Sequence, residues 1–334
     1  MSIWSARYHN SNAHIVLLTD DQTDKLLTGK RAELLDYVSE KIVVPFDNDT
    51  ISVKYRSRWI KTSVRQLIEG DFLYIDCDTI VCRSLDSVDA FDCEVGAVWE
   101  SHLLVEDFCH DLLQSAVEAN KCIGLDLNNE KEYFSSGVLY VKDNSMTHQV
   151  YDLWHKYWEE SYQLGLPIDQ PALAKANRDL GHIIKQIPDT YNCILFTRPP
   201  FVREAHILHI AAYQNPSFLF ADKVLNYVKE NGIENKWLKN MILNPCATMM
   251  PFDYNLKHSS CMDRRCWKKE LVGAWKGYGE NIDRSFVVSP YMRLTQRDII
   301  LMKYGMVGLA MWLHLLEYRI RLMRKNVKQN TCQK

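Results

Sequence analysis

The sequence predicts an α/β fold in which a mixed, mainly parallel sheet is flanked by helices. Short apolar segments rich in β-formers alternate with longer amphipathic segments through the first two-thirds of the chain, as in strand–helix–strand units. The predicted strands are IVLL at 15–18, KIVVPF at 41–46, FLYID at 72–76, EVGAVW at 94–99 and SGVLYV at 136–141. Ligands of open sheets bind beyond the carboxyl ends of strands, so the residues after each strand are the place to look for chemistry.

Three segments between these strands carry apolar residues at spacings of three and four, which predicts helices packed on the sheet. They are QTDKLLTGKRAELLDYVSE at 22–40, VKYRSRWIKTSVRQLIEG at 53–70 and THQVYDLWHKYWEESYQ at 147–163. The pattern then changes to helical and irregular stretches, so we expect three parts. They are an α/β domain over 1–220, an accessory region over 221–297, and a C-terminal helical extension over 298–334 that is apolar and then basic.

Composition excludes several classes of protein. The 334 residues are 47% hydrophobic and 25% charged, which is typical of a globular chain, and the net charge of -2 argues against a nucleic-acid partner. Ten scattered cysteines indicate a reducing compartment, and the polar start MSIWSARYHN does not resemble a signal peptide, so we expect a cytoplasmic protein. His258, Cys261 and Cys266 lack a second pair at zinc spacing, so no zinc site is assigned there.

Two carboxylates, Asp76 and Asp78, stand at the end of the apolar segment FLYI. Strand geometry would put both side chains on one face, where carboxylate oxygens suit Mg²⁺ or Mn²⁺ together with substrate phosphates. The alternative is a pair of buried carboxylates compensated by hydrogen bonds alone. Asp47 and Asp49 have the same spacing, but they follow Pro45 in a cluster of turn-forming residues, which predicts a solvated loop.

Five motifs in order give the chain its resemblance to a known family. They are IEGDFLYIDCDTIVCRSL at 68–85, YFSSGVLYVKDN at 133–144, PIDQPAL at 167–173, PDTYN at 188–192 and ILHIAAYQNP at 207–216. Over roughly residues 3 to 220 the chain resembles glycosyltransferase family 8, retaining enzymes of the Rossmann-like GT-A fold that include glycogenin and bacterial galactosyl- and glucosyltransferases. The resemblance implies transfer of a hexose from a UDP-sugar to a saccharide or lipid-linked acceptor, in bacterial surface polysaccharide or lipopolysaccharide synthesis.

The resemblance also implies a set of metal ligands. Asp76 and Asp78 would bind Mn²⁺ (or Mg²⁺) and the nucleotide, and His209 would be the third ligand. His206 is the alternative histidine. Without the resemblance, a histidine on an apolar strand is more often a hydrogen-bonded core residue.

Further residues are implied at the sugar. The segment from Phe134 to Gly137 corresponds to the family's Phe-Asn-Ser-Gly, so Ser135 replaces an asparagine expected to contact the donor sugar, followed by Ser136. Gly137 would allow a close backbone approach, or would be an ordinary glycine at the start of a strand.

The pair Asp169 and Gln170 matches the family's Asp-Gln pair at the reacting face of the transferred sugar, although Asp is also common at a helix N-terminus. Arg58, Lys61 and Arg65 share a helical face, where the family places a cation toward the nucleotide phosphates. Lys61 is our choice among them, and a solvated charged face is the alternative.

The chain departs from the family at its start. We expect the family's first strand to be missing, because SIWSARYHN matches the helix that should follow that strand. We expect either a true start upstream of Met1 or weakened nucleotide binding.

The apolar stretch 299–318 and the basic residues that follow, as far as Lys328, indicate either a helix lying on the inner face of the cytoplasmic membrane or a helix buried in the protein or a dimer. Two rival functions stay open, a sugar- or nucleotide-binding remnant and a two-metal nucleotidyltransferase. The sugar, the acceptor and the oligomeric state are not predicted.

Overall fold

The strand and helix alternation is present in the structure, a computed structural model that describes residues 1–46, 51–108, 110–194 and 204–210. The helices are α1 Ser2–His9, α2 Asp21–Lys25, α3 Val53–Thr62, α4 Val64–Leu67, α5 His110–Lys121, α6 Ser145–Gln163 and α7 Gln170–Asp179. The strands are β1 Val16–Asp20, β2 Glu40–Val44, β3 Phe72–Ile75, β4 Thr79–Val81, β5 Val95–Trp99, β6 Phe134–Val141, β7 Ile184–Gln186, β8 Cys193–Ile194 and β9 Ile207–His209. The α/β class is therefore confirmed.

All five predicted strands are present, and so are the helices predicted at 53–70 and 147–163. The prediction of one helix over 22–40 is wrong. Helix α2 ends at Lys25 and a 3₁₀ helix, Gly29–Tyr37, follows it. The chain turns at Gly29, whose φ of +55° lies in the left-handed region that favours glycine, and this turn separates the two helical segments.

The strands form three hydrogen-bonded sheets, in the orders β1-β2, β3-β6-β5-β7 and β4-β9-β8. The prediction of a mixed sheet system is confirmed, but its mainly parallel character is wrong. Three of the six strand pairings among the described residues are antiparallel, namely β3 with β6, β5 with β6, and β4 with β9. Strand β6 is buried along its whole length, and the apolar run of its second half, 138–141, is what a parallel strand would show, whichever way its neighbours run.

Helix α6 anchors the central strand. It begins with a capping box in which the Asn144 side chain accepts hydrogen bonds from the backbone N–H groups of Met146 and Thr147. Its inner face buries Trp154 and Trp158 completely, in one cluster with residues of β6 and α7. Burial of such large side chains is the main source of stability here, and it fixes the strand that carries several predicted site residues.

The turn between β3 and β4 joins two of the sheets. The backbone N–H of Asp76 donates to the carbonyl of Gly137 in β6 at 2.9 Å, and the N–H of Ile210 donates to the carbonyl of Asp78 at 2.9 Å. Both acids lie in this turn, beyond the last residue of β3. Turn geometry therefore brings them together, in place of the strand alternation that we expected.

Several expectations concern residues outside the described ranges. They are the loop with Asp47 and Asp49, the group of His258, Cys261 and Cys266, and the parts of the chain over 221–297 and 298–334. Within the described residues, no helix is long and apolar enough to span a membrane.

Candidate active site

Asp76, Asp78 and His209 meet where the four-stranded and three-stranded sheets join. One ligand atom from each residue lies within 4.8 Å of the other two. Within this group, His209 Nε2 lies 3.3 Å from Asp78 Oδ1. Two carboxylates and an imidazole form a donor set that Mn²⁺ accepts readily, so these residues fit a divalent cation.

The environment favours the ionised form of Asp78. Burial alone would raise the pKa of Asp78, but the hydrogen bond and charge of His209 outweigh it and lower the pKa below its ordinary value. The Asp78 side chain is 39% exposed, compared with 9% for that of His209. This edge of the group is therefore open to a ligand from solvent.

Position 137 has to be a glycine because the imidazole of His209 occupies the space that a side chain would need. A Cβ atom on Gly137 would lie 2.2 Å from Cε1 and 2.7 Å from Nδ1 of that ring. No side chain fits at such distances, so the histidine lies directly against the backbone of β6. The close backbone approach expected at Gly137 is thus made by a predicted metal ligand.

His206 does not join this group. Its ring stacks on Tyr191 with centroids 4.3 Å apart, and its Nδ1 atom lies 3.3 Å from the hydroxyl of Thr190. Burial lowers its pKa, which favours the neutral ring. Of the two predicted histidines, the structure brings His209 to the acids.

A second group of charges lies beside the acids. Lys61 Nζ is 2.9 Å from Asp76 Oδ2 and 3.4 Å from Asp169 Oδ2, while Arg58 Nε is 2.9 Å from Asp169 Oδ1. Tyr74 donates its hydroxyl proton to Asp76 Oδ1 at 2.5 Å. Lys61 is only 3% exposed, and its ammonium group lies between the two carboxylates.

Asp169 is held ionised inside the protein. Burial alone would raise its pKa, and the charges of Lys61 and Arg58 and the hydrogen bond from Ser136 outweigh burial and lower it. Ser136 Oγ donates to Asp169 Oδ2 at 2.8 Å. Asp169 occupies the N-cap position of α7, yet its side chain makes no capping hydrogen bond. Its carboxylate therefore faces the charged group and not its own helix.

Gln170 has a fixed amide orientation. Its Nε2 atom donates to Glu100 Oε2 at 2.8 Å and to the carbonyl of Phe134 at 2.9 Å. Both partners are acceptors, so the nitrogen must face them, and the amide oxygen faces away.

Arg65 belongs to a different part of the molecule. Its guanidinium donates to the carbonyl of Gly70 at 2.8 Å, lies 3.3 Å from Asp143, and stacks on the ring of Phe72. Helix α3 ends before it, and the break at Ser63 changes the helical register on which the shared face depended.

Three residues at the site were not predicted. Glu100 follows β5 directly, and residues that follow a strand are those among which we expected site residues. Ser101 and His102 after it have positive φ angles of 56° and 59°. Asn192 is the last residue of the motif PDTYN, and its side chain contacts both His209 and Ser135. Tyr74 lies two residues before Asp76, so strand spacing could have indicated it.

Comparison with known proteins adds a slight likeness in fold. No family model matches the chain, and no curated protein sequence matches it.

Solved glycosyltransferase structures are similar over most of the described part. The galactosyltransferase LgtC, solved with donor and acceptor sugar analogues, has 13% identity and a TM-score of 0.45, over 71% of this chain and 93% of that one. Mouse xyloside xylosyltransferase 1 has 12% identity and a TM-score of 0.40, over 64% and 92%. The glycosyltransferase GlyE of Streptococcus pneumoniae has 17% identity and a TM-score of 0.38, over 65% and 51%. Similarity this slight assigns neither an activity nor a site residue, so both have to be argued from the geometry.

Proposed function

We propose that the chain is a retaining glycosyltransferase of the GT-A type that moves a hexose from a UDP-sugar to a saccharide or lipid-linked acceptor. The observation that carries the proposal is the convergence of Asp76, Asp78 and His209, with ligand atoms within 4.8 Å, at a junction of two sheets. The ordered motifs that contain these residues, and the expected sugar-binding pair of Asp169 and Gln170, support it.

The metal ligands have a defined task in this proposal. Asp76, Asp78 and His209 would hold Mn²⁺ or Mg²⁺, which supplies positive charge to a departing diphosphate. Asp76 already accepts hydrogen bonds from Lys61 and Tyr74, but a carboxylate has about four lone-pair positions, so it can share an oxygen with a cation.

Gln170 and Asp169 would act on the sugar. With its nitrogen bound to Glu100 and Phe134, Gln170 would present its amide oxygen to the reacting face. An amide is a poor nucleophile, so we favour a front-face displacement in which a donor phosphate oxygen takes the proton of the acceptor hydroxyl. Asp169, held ionised by Lys61 and Arg58, would accept hydrogen bonds from sugar hydroxyls.

A second candidate is a nucleotide- or sugar-binding protein that needs no metal. The observation that favours it is that both oxygens of Asp76 already have protein partners, as carboxylates without a cation do. A two-metal nucleotidyltransferase has less support, because the third member of the ligand group is a histidine where that mechanism uses a further carboxylate.

Calorimetry with UDP separates the two candidates. UDP is titrated into the full chain with MnCl₂ or with EDTA, and release of UDP from UDP-glucose, UDP-galactose and their N-acetyl forms is then measured. The transferase requires UDP binding that depends on Mn²⁺, together with hydrolysis of at least one donor. Equal UDP affinity in EDTA and no hydrolysis of any donor would favour the binding protein.

A further inference from the structure

We infer that Asn192 is a positioning residue that holds the His209 imidazole with its Nε2 atom toward Asp78 and connects this ligand to Ser135 on strand β6. The inference rests on the proposed metal site and adds a residue to it. Asn192 ends the motif PDTYN, to which the resemblance gives no role.

The contacts of Asn192 are specific on both sides of its amide. Oδ1 lies 2.9 Å from His209 Nδ1, and Nδ2 donates to Ser135 Oγ at 3.1 Å. Asn192 is fully buried, at 0% exposure, so no water competes for these groups. Hydrogen bonds at both ends hold this buried amide between His209 and Ser135.

This arrangement determines which histidine nitrogen is available to a cation. Nε2 is the ring nitrogen that faces Asp78, at 3.3 Å, while Nδ1 faces Asn192. A cation on Nε2 requires a neutral ring with its proton on Nδ1, and Oδ1 of Asn192 is the acceptor for that proton. The same polarity directs Nδ2 of Asn192 to Ser135, as observed.

The ring is also confined at its Cε1 atom. A Cβ atom on Gly137 would lie 2.2 Å from Cε1, and His209 is only 7% exposed. Asn192 therefore supplies the hydrogen bond to a ring that lies against the backbone of β6. Such partners of ligating histidines typically change metal affinity by about 10–100-fold when they are removed.

Metal affinity measured without turnover tests the inference. Mn²⁺ is titrated into the full chain with saturating UDP, and free Mn²⁺ is followed by electron paramagnetic resonance. Asn192→Leu, which keeps the branching of the side chain and loses both hydrogen bonds, should raise the Kd for Mn²⁺ by about 10–100-fold. Asn192→Asp should stay close to the wild type, because a carboxylate oxygen still accepts the proton of Nδ1.

Asn120→Leu is the matched control. Asn120 is equally buried, and its Nδ2 atom donates to the carbonyl of Ala116 and the hydroxyl of Tyr133, away from the site. It should lose stability and keep the Mn²⁺ affinity of the wild type. An Asn192→Leu affinity equal to that of the control would overturn the inference and leave the metal site standing. A wild type that binds no Mn²⁺ would remove the proposed function as well.

If Asn192→Leu does not fold, the position of the His209 proton in the wild type tests the role of Asn192. In protein labelled with ¹⁵N-histidine and loaded with Mg²⁺ and UDP, the proton of His209 should reside on Nδ1 and exchange slowly with solvent. A proton on Nε2, or a rapidly exchanging one, would show that Asn192 does not hold the ring.

Discussion

The two halves of the candidate site carry their charges in different ways. The ion-pair half consists of Arg58, Lys61, Asp76 and Asp169, two cations and two carboxylates. The histidine half consists of Asp78, His209 and Asn192. In the ion-pair half the charges neutralise one another, and Lys61 and Asp169 are almost completely buried. In the histidine half the side chain of Asp78 is 39% exposed, and the imidazole of His209 lies 3.3 Å from its carboxylate.

Because of this difference, we expect the ion-pair half to affect mainly the stability of the protein and the histidine half to affect mainly the binding of a cation. Buried charges are costly when a partner is removed, so we expect loss of one partner in the ion-pair half to destabilise the fold. An exposed carboxylate contributes little to stability, and a cation would complete the charge balance of the histidine half. The ion-pair half would therefore support Asp76, and the histidine half would supply the open coordination positions.

The largest effect on folding is expected at Lys61. Lys61→Met leaves Asp76 and Asp169 facing each other without the cation between them, and should lower the free energy of unfolding by about 3–5 kcal/mol. Urea unfolding at pH 7 measures this.

Lys175→Met is the control, since Lys175 forms an i,i+4 pair with Asp179 on a helix surface and should change stability by about 0.5 kcal/mol or less. Equal losses in the two variants would show that the ion-pair half is not what stabilises the site.

Asp78→Asn should reduce activity and leave stability almost unchanged, whereas Lys61→Met should reduce stability. Loss of one ionised ligand should reduce donor kcat/KM by about 10²–10³-fold, the usual cost of a group that stabilises charge in the transition state. The free energy of unfolding should stay within about 0.5 kcal/mol of the wild type, because the side chain is partly exposed. Donor hydrolysis and urea unfolding are compared on the same preparations.

Asp86→Asn, at an exposed position just after β4, should change neither quantity. A stability loss in Asp78→Asn as large as that of Lys61→Met would remove the distinction between the two halves.

The sequence predicts the local part of this fold well. The five predicted strands are present. Burial is most complete in β5 and β6, and α6 buries two tryptophans, so the apolar residues of these elements identify them. Strand direction and the division into three sheets are not encoded in this way. Burial on both faces makes the sequence of β6 the same for either direction.

A local pattern could pair Asp76 with Asp78, because both lie in one short segment. His209 is 131 residues (209 − 78) further along the chain than Asp78, and only the family resemblance grouped it with the two acids that it meets in the structure. Glu100 and Asn192 were missed because their roles depend on contacts with Gln170 and His209, which no local pattern specifies. Arg65 was placed on the shared face because the helix break at Ser63 has no clear sequence signal.

Gly137→Ala tests how the histidine half depends on β6. The added Cβ atom would lie 2.2 Å from His209 Cε1, so the ring must move, at a cost of about 1–3 kcal/mol of stability. Mn²⁺ affinity should fall with it.

Gly96→Ala is a matched control, since its Cβ atom would lie 2.5 Å from Ile187 Cγ2 and not near His209. It should lose stability but bind Mn²⁺ as the wild type does. If the two alanine variants bind Mn²⁺ equally well, the position of the ring is not set by the glycine.

The smallest effect is a change in pH dependence at Asp169. In the unfolded chain this carboxyl group protonates near its ordinary pKa of 3.8, and in the folded protein Lys61 and Arg58 lower the pKa below that value. The unfolded state then binds more protons in this range, so the stabilisation by ionised Asp169 is complete above about pH 3.8 and is lost as pH falls through the folded pKa.

Asp169→Asn cannot titrate and keeps an acceptor for Ser136. The difference in unfolding free energy between wild type and Asp169→Asn, measured in urea at about pH 7, 5, 4 and 3, should therefore be constant at first and shrink at the lowest values. A difference that stays constant throughout would mean that the buried cations do not act on Asp169, and the ion-pair half would then have to be held together by packing alone.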